Sequence, residues 1–279
     1  MGGKLGLVGA GAMAEALVAG VTAAGLYGPD RIVVTNRRNL ARRRELACQY
    51  GICTAASLEE LCLTADLLVL AVKPVDAAEV LARLARTITD RHTLVSVVAG
   101  LSLAALQSQL PAGMTIIRAM PNTSCAVSQS ATALAWGEGV GAGMRAQVLG
   151  MFTAIGQVVE LPEHLIDAAT GLAGSGPAYV YYLVEALVEA GRQAGLPGEV
   201  AESLARQTLY GAAVMLQRTG ADPAALRAKV TSPGGTTMAG VETLERAGVR
   251  GAVKAAVKAA AKRAGELGKP TTGMASGTE

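Results

Sequence analysis

Aromatic residues make up only 3% of this 279-residue chain, with one Trp and one Phe among them. No long basic stripe interleaved with aromatics occurs, and the net charge is only +3, so nucleic-acid binding is not expected. Histidine is nearly absent. His92 and His164 lie far apart, without neighbouring ligand spacings, which argues against a zinc site. Neither lies beside a Gly-x-Ser-x-Gly elbow, so a Ser-His-Asp hydrolase is poorly supported. Cys48, Cys53, Cys62 and Cys125 form no Cys-x-x-Cys pair and are read as reduced, structural thiols. No apolar run approaches the roughly 18 to 20 residues needed to span a bilayer, and no signal-peptide pattern precedes the first strand. A cytoplasmic location without membrane contact is expected, and no bound metal.

What is present is apolar mass. Hydrophobic residues reach 51%, enough core for one large or two modest domains. Lys4 to Val8 reads as a short strand that runs into Gly9-Ala10-Gly11-Ala12-Met13-Ala14 and then a helical pattern. This is the Gly-x-Gly-x-x-Ala form of the dinucleotide fingerprint: Gly9 makes the turn, Gly11 admits the pyrophosphate, and Ala14 lets helix and strand pack. An acidic residue about twenty positions on would bind the ribose 2′-hydroxyl of NAD. The second strand, Arg31 to Thr35, instead ends in Asn36-Arg37-Arg38, which favours the 2′-phosphate of NADP. A solvated basic helix start is the alternative, since Arg42, Arg43 and Arg44 continue the charge.

Short apolar runs alternate with helical stretches as far as Leu161, the pattern of a doubly wound sheet. Further strands are predicted at Leu67 to Val72, Thr93 to Val98, Thr115 to Arg118, Ala131 to Ala135 and Gln157 to Leu161. Ligands of such sheets bind beyond the carboxyl ends of the strands. Those ends carry Asn36, Ala71-Val72-Lys73-Pro74, Ala99-Gly100 and Met120-Pro121-Asn122-Thr123. Lys73-Pro74, taken alone, reads equally as a strand stop.

From Pro162 onward the strand signal vanishes. The expected division is therefore a dinucleotide-binding α/β domain over 1–161, an all-helical domain over 162–269 and a disordered Thr/Gly/Ser-rich tail over 270–279. Leu183, Ala186, Leu187 and Ala190 share one helical face, as do Ala252, Val253, Ala256, Val257 and Ala260. Such small-residue faces, with so few aromatics, predict a core completed against a second subunit.

The helical half also contains Val230-Thr231-Ser232-Pro233-Gly234-Gly235-Thr236-Thr237-Met238-Ala239-Gly240-Val241. Pro233 stops the preceding helix, the glycines let the backbone bend, and Thr236 or Thr237 is expected to cap a helix running to about Arg246. Free amides at such a start favour a carboxylate or phosphate. Taken alone, the segment also reads as a loop before an ordinary capped helix.

With these pieces in order, and with Arg118-Ala119-Met120-Pro121-Asn122-Thr123, Gly174-Ser175-Gly176-Pro177-Ala178-Tyr179 and Leu244-Glu245, the chain resembles the pyrroline-5-carboxylate reductase family over nearly its whole length. Val230 to Val241 is the most specific piece. The resemblance implies reduction of 1-pyrroline-5-carboxylate to L-proline by NADPH or NADH, helical domains paired between subunits, and often a ring of such dimers. It implies pyrophosphate contacts at Ala10, Ala12 and Met13, and ribose or nicotinamide contacts at Val72, Lys73 and Ala99. It makes Ser232 to Thr237 the substrate loop and brings Glu163 and Lys229 close to the ligands. Two positions depart from the family: Lys229 stands where relatives often have Asn, and Leu58 falls near a polar position facing the adenosine ribose.

A protonated imine accepts hydride without an enzyme acid, so the expected catalysis is positioning, with amides around Gly235 to Thr237 on the carboxylate. Thr237 is the expected hydroxyl on the ring nitrogen. It is too weak an acid to give up a proton and acts by orientation or relay through water. Its alternative is a helix cap without a chemical role. The β-hydroxyacid dehydrogenases share the layout but need a lysine on the first long helix of the second domain, and Gly171 to Ala190 contains none. Reduction of another cyclic imine, or a noncatalytic NADP sensor, are the remaining alternatives.

Overall fold

The structure is a computed structural model that describes residues 3–268; the expected tail over 270–279 lies outside the described residues. An eight-stranded sheet has the order β3-β2-β1-β4-β5-β6-β7-β8. Its strands are β1 Leu5–Val8, β2 Ile32–Thr35, β3 Cys53–Thr54, β4 Leu67–Leu70, β5 Thr93–Ser96, β6 Thr115–Met120, β7 Ser130–Trp136 and β8 Gly156–Glu160. The helices around it are α1 Ala12–Ala23, α2 Leu40–Tyr50, α3 Leu58–Thr64, α4 Pro74–Leu84, α5 Leu103–Gln107, α6 Ala142–Thr153 and the short α7 Ile166–Ala169.

All seven predicted strands form. Four consecutive strands of the sheet, β2, β1, β4 and β5, are buried along their whole length, as parallel strands covered on both faces must be. One core packs Leu5, Leu7, Val34 and Val69 against Leu17, Val21 and Phe152. The other packs Val8, Val33, Leu68 and Leu70 against Leu61, Leu81 and Leu84. Alternate residues of single strands thus serve opposite cores.

Two features depart from the sequence reading. The two-residue β3 pairs with β2 through Val33↔Cys53 and Val34↔Thr54, too short a run to show any periodicity. β7 lies antiparallel to β6, with Ile117 opposite Trp136, because the connection over 121–129 is too short for the crossover that a parallel neighbour needs. The four cysteines are free, but only Cys62 and Cys125 are buried. A packing role therefore holds for those two and not for Cys48 and Cys53.

The chain divides into two compact units, one running to Ser175 and resuming at Lys258, the other Gly176–Val257. The second is helical: α8 Gly176–Gln193, α9 Gly198–Thr219, α10 Pro223–Lys229, α11 Thr236–Arg246 and the start of α12 Val249–Leu267. α8 and α9 pack together and bury Ala201 and Ala205 between them, with Gly191 close to Ala201. Their larger apolar side chains stay outside: Tyr181, Tyr182, Leu183, Leu187, Leu204, Tyr210 and Met215 are all exposed. Among the described residues no helix is long and apolar enough to cross a membrane.

Candidate active site

β1 is the switch point of the sheet, with β2 and β3 to one side and β4 onward to the other. Its register with both neighbours brings Val8 level with Thr35 and with Leu70, so the loops that follow all three strands open on the same edge. That is where an open α/β sheet holds its ligand. Gly9 adopts φ +117°, and a Cβ there would lie 2.4 Å from the Ala71 carbonyl oxygen. Only glycine fits this turn. Its amide donates to Thr35 O at 2.9 Å, and the Ala71 amide donates to Val8 O at 2.9 Å.

A cavity of about 580 Å³ lies along this edge, within the roughly 300–1,000 Å³ typical of cofactor sites. It brings together the predicted Gly9, Ala10, Gly11, Asn36, Arg37, Ala71, Val72 and Lys73. Gly11 caps α1 in extended conformation without a side chain of its own, which leaves the first-turn amides of Ala12, Met13 and Ala14 without intrahelical acceptors. A Cβ on Gly11 would meet nothing within 4 Å. These features suit a dinucleotide: a tight glycine turn, an open helix start for the pyrophosphate and two arginines at the end of β2.

Gly9→Ala is therefore expected to weaken NADPH binding at least about tenfold, since the new methyl displaces the Ala71 carbonyl that shapes the cleft. Titration of cofactor fluorescence measures it, and unchanged affinity would show that the turn relaxes freely.

Four predicted cofactor residues do not line the cavity. Ala12 and Met13 can contribute only through the helix start. Ala99 follows β5 on the adjoining loop and is half-buried. Asn122 is buried, and its side chain is occupied: Oδ1 accepts from the Ser124 amide at 3.1 Å and Nδ2 donates to Ala173 O at 2.9 Å. Its place at the end of β6 identified it, but the hydrogen bonds were invisible in the sequence.

The cavity also holds charges that the motifs did not single out: Asp76, Glu79 and Arg83, all on α4. The signal was their spacing, which puts them on one helical face. Arg37 pairs with Glu79, and Arg38 with Asp76 and, at 3.5 Å, with Glu79. Arg83 reaches Glu59 at 3.3 Å. The Glu59 carboxyl is held below its usual range, first by its own backbone amide and then by Ser57 and Arg83. Asn36 turns inward on the chain, its Oδ1 accepting from the amides of Arg38 and Asn39 at 3.1 Å each.

Arg118, which the sequence offered only as part of a motif, is the most buried Arg or Lys among the described residues of the sheet unit, 3% exposed. Nη1 donates to Glu163 Oε1 at 3.0 Å and Nη2 to Asp167 Oδ1 at 2.7 Å. Glu163 Oε1 also accepts from the Leu103 amide at 3.1 Å. The expected substrate residue Glu163 is thus engaged in a network that fastens the segment 163–167 to β6.

In the helical unit the loop before α11 forms as a bent helix start, but the cap differs from expectation. Gly235, not a threonine, is the N-cap, and Thr236 and Thr237 are the first two helical residues. Local packing favours the small residue: a Cβ on Gly235 would lie 2.5 Å from Ser232 Oγ and 3.2 Å from the Ser232 carbonyl oxygen, so a larger cap would require the serine hydroxyl to turn away. Gly234 takes φ +69°, and its amide donates to Met238 Sδ at 3.3 Å. The amides of Thr236, Thr237 and Met238 remain without intrahelical acceptors. The hydroxyls of Thr231 and Thr243 donate to the carbonyls of Arg227 at 2.7 Å and Ala239 at 2.9 Å. Those of Thr236 and Thr237 make no hydrogen bond among the described residues. Lys229 is exposed at the end of α10 and forms no ion pair among them. Nearby, Glu245 binds Arg250 at 2.6 Å, which lowers its pKa, with help from Arg227.

Residues 163–267 match the model for pyrroline-5-carboxylate reductase dimerisation. A pyrroline-5-carboxylate reductase of Synechocystis sp. is 44% identical over 266 residues, 95% of this chain and 98% of its own. The chain belongs to the pyrroline-5-carboxylate reductase family. Residues 4–100 also match the model for NADP oxidoreductase, coenzyme F420-dependent. A solved pyrroline-5-carboxylate reductase from Coxiella burnetii superposes with a TM-score of 0.88 at 36% identity, covering 96% of this chain and 99% of its own. The Plasmodium falciparum pyrroline carboxylate reductase, solved with NADP bound, gives 0.85 at 29% identity, covering 96% of this chain and 99% of its own. Members of this family therefore share the full length and both halves of this fold.

Proposed function

We propose that this chain is an NAD(P)H-dependent pyrroline-5-carboxylate reductase, which converts 1-pyrroline-5-carboxylate into L-proline, the last step of proline synthesis. The observation that carries the reading is the helix start at Gly235 to Thr237, with free amides and free hydroxyls, in a chain that also has a dinucleotide cleft. By function we assign 1–161 to the cofactor domain and 162–269 to the domain for dimerisation and substrate, although by packing 162–175 and the end of α12 belong with the sheet unit.

When bound, the cofactor supplies a hydride to the imine carbon. The C=N pair then becomes a lone pair on nitrogen, and the protonated imine ends as a secondary amine. The chain holds the cofactor through Gly9, Ala10, Gly11, Ala12 and Met13 at the pyrophosphate, Asn36 and Arg37 at the adenosine ribose, and Ala71, Val72, Lys73, Ala99 and Asn122 toward the nicotinamide side. The amides after Gly235 bind the substrate carboxylate, supported by the dipole of α11. Ser232 and Gly234 shape the loop, and Glu163 and Lys229 complete the substrate-binding set. The Thr237 hydroxyl orients the ring nitrogen. No group in this set supplies a strong acid, so rate comes from positioning.

The chain works as a homo-oligomer on a small molecule. Support comes from the exposed apolar side chains of α8 and α9, a surface that an isolated chain would leave in water. The finer reading is a homodimer through the helical domains, extended to a ring of dimers, in the cytoplasm, without nucleic-acid or membrane partners. Sedimentation is expected to give a dimer or a multiple of it; a folded monomer at micromolar concentration would refute the pairing.

The deciding assay follows NADPH absorbance with 1-pyrroline-5-carboxylate, beside the six-membered imine and beside NADH. Oxidation with proline as product is expected. Tight NADPH binding without turnover of either imine would replace the reductase with a sensor.

A further inference from the structure

We propose that Asp76 and Glu79 on α4 set the cofactor preference, by acting as counter-ions to the two arginines that meet the ribose 2′ substituent. The inference rests on the cofactor reading above and concerns residues that no fingerprint assigns. In dinucleotide folds the group at the end of β2 decides between a 2′-hydroxyl and a 2′-phosphate. Here that group is Arg37 and Arg38, and neither is free. Arg37 is paired with Glu79, and Arg38 is shared between Asp76 and Glu79. All four residues line the same cavity. The arginine side chains are 62% and 66% exposed, so a ligand reaches them without unfolding anything.

The two cofactors meet this cluster differently. A 2′-phosphate binds the arginines only by displacing the carboxylates or by lying beside them, and either cost opposes NADPH. A 2′-hydroxyl carries no charge and can donate to a carboxylate, which is the role the acidic residue plays in NAD-binding relatives of the fold. The acid absent from the end of β2 is thus supplied from across the cleft by α4. The cluster places NADPH and NADH closer in affinity than the arginine pair alone would, and it makes the balance depend on two carboxylates far from the reacting atoms.

The test measures binding of 2′,5′-ADP and of 5′-AMP by calorimetry, in the wild type, in Glu79→Gln, in Asp76→Asn and in the double variant. An exposed pair is worth roughly 0.2 to 1 kcal/mol, or about 1.4- to fivefold. Each single variant should therefore bind 2′,5′-ADP about 1.4- to fivefold tighter and the double variant up to about tenfold tighter, with no gain for 5′-AMP. The gain should shrink in high salt, because these charges are exposed to solvent. Asp76→Glu should keep the wild-type ratio. Asp76 also sits in the first turn of α4, where a carboxylate favours the helix, so Glu79→Gln is the cleaner variant. In turnover the ratio of kcat/KM for NADPH over NADH should rise through KM rather than kcat. A wild type that binds neither fragment would overturn the cofactor reading and this inference with it. Wild-type binding of 2′,5′-ADP with no gain in any variant, or an equal gain for 5′-AMP, would overturn this inference alone.

Discussion

Replacing Thr237 with alanine is expected to lower kcat/KM for 1-pyrroline-5-carboxylate about a hundredfold while NADPH affinity stays within about twofold. The magnitude is that of a hydrogen bond to a group whose charge changes in the transition state, worth roughly 2 to 3 kcal/mol. The loss should fall on kcat and kcat/KM together, because the bond strengthens as the ring nitrogen gains its lone pair. Helix stability offers no competing explanation. Gly235 caps α11, and Thr237 is an exposed residue of its first turn without a hydrogen bond of its own among the described residues. Thr237→Ser keeps the hydroxyl and should recover most of the rate. An alanine variant with unchanged kcat/KM would remove Thr237 from the mechanism and leave carboxylate binding by the helix-start amides as the source of substrate orientation.

Replacing Arg118 with methionine is expected to destabilise the sheet unit by about 3 kcal/mol. Breaking a buried ion pair from one side costs about 3 to 5 kcal/mol, because the remaining charge loses its partner without regaining water. The lower end applies here. Arg118 is 4% exposed in its side chain, but Glu163 and Asp167 are 31% and 35% exposed and can partly rehydrate. Urea unfolding followed by circular dichroism measures the change. The triple variant Arg118→Met, Glu163→Gln, Asp167→Asn should recover a good part of the loss, since it leaves no uncompensated charge. Loss of less than about 1 kcal/mol in Arg118→Met would mean that the network contributes specificity of packing rather than stability. Arg118 also fixes Glu163, so if Glu163 belongs to the substrate site as proposed, KM for the imine should rise in the same variant.

Much of the fold was legible because local chemistry and burial agree. Leu5 to Val8 and Leu67 to Leu70 lie under helices on both faces, so each appears as an unbroken apolar run. Gly9 was legible because only glycine takes φ +117° against the Ala71 carbonyl. The helix over Thr236–Arg246 was legible from Pro233 and the glycines before it. Its cap was misread, because a threonine at a helix start is the better cap in isolation, whereas here the cap falls one residue earlier, at Gly235, packed against Ser232. β3 escaped notice because two residues carry no period, and the direction of β7 because it depends on how little chain joins it to β6.

The linear order of residues determined the two-part layout, the glycine turn, the arginines after β2 and the family, since each depends on a few neighbouring residues whose conformational limits act locally. Tertiary structure alone decided what those groups face. Asp76 and Glu79 meet Arg37 and Arg38 only because β2 and β4 flank β1 in one register, and Glu163 meets Arg118 only because the segment 163–167 folds back on β6. Charge pairing acts through space, at a range of a few ångströms, between residues some 40 positions apart or more in the chain.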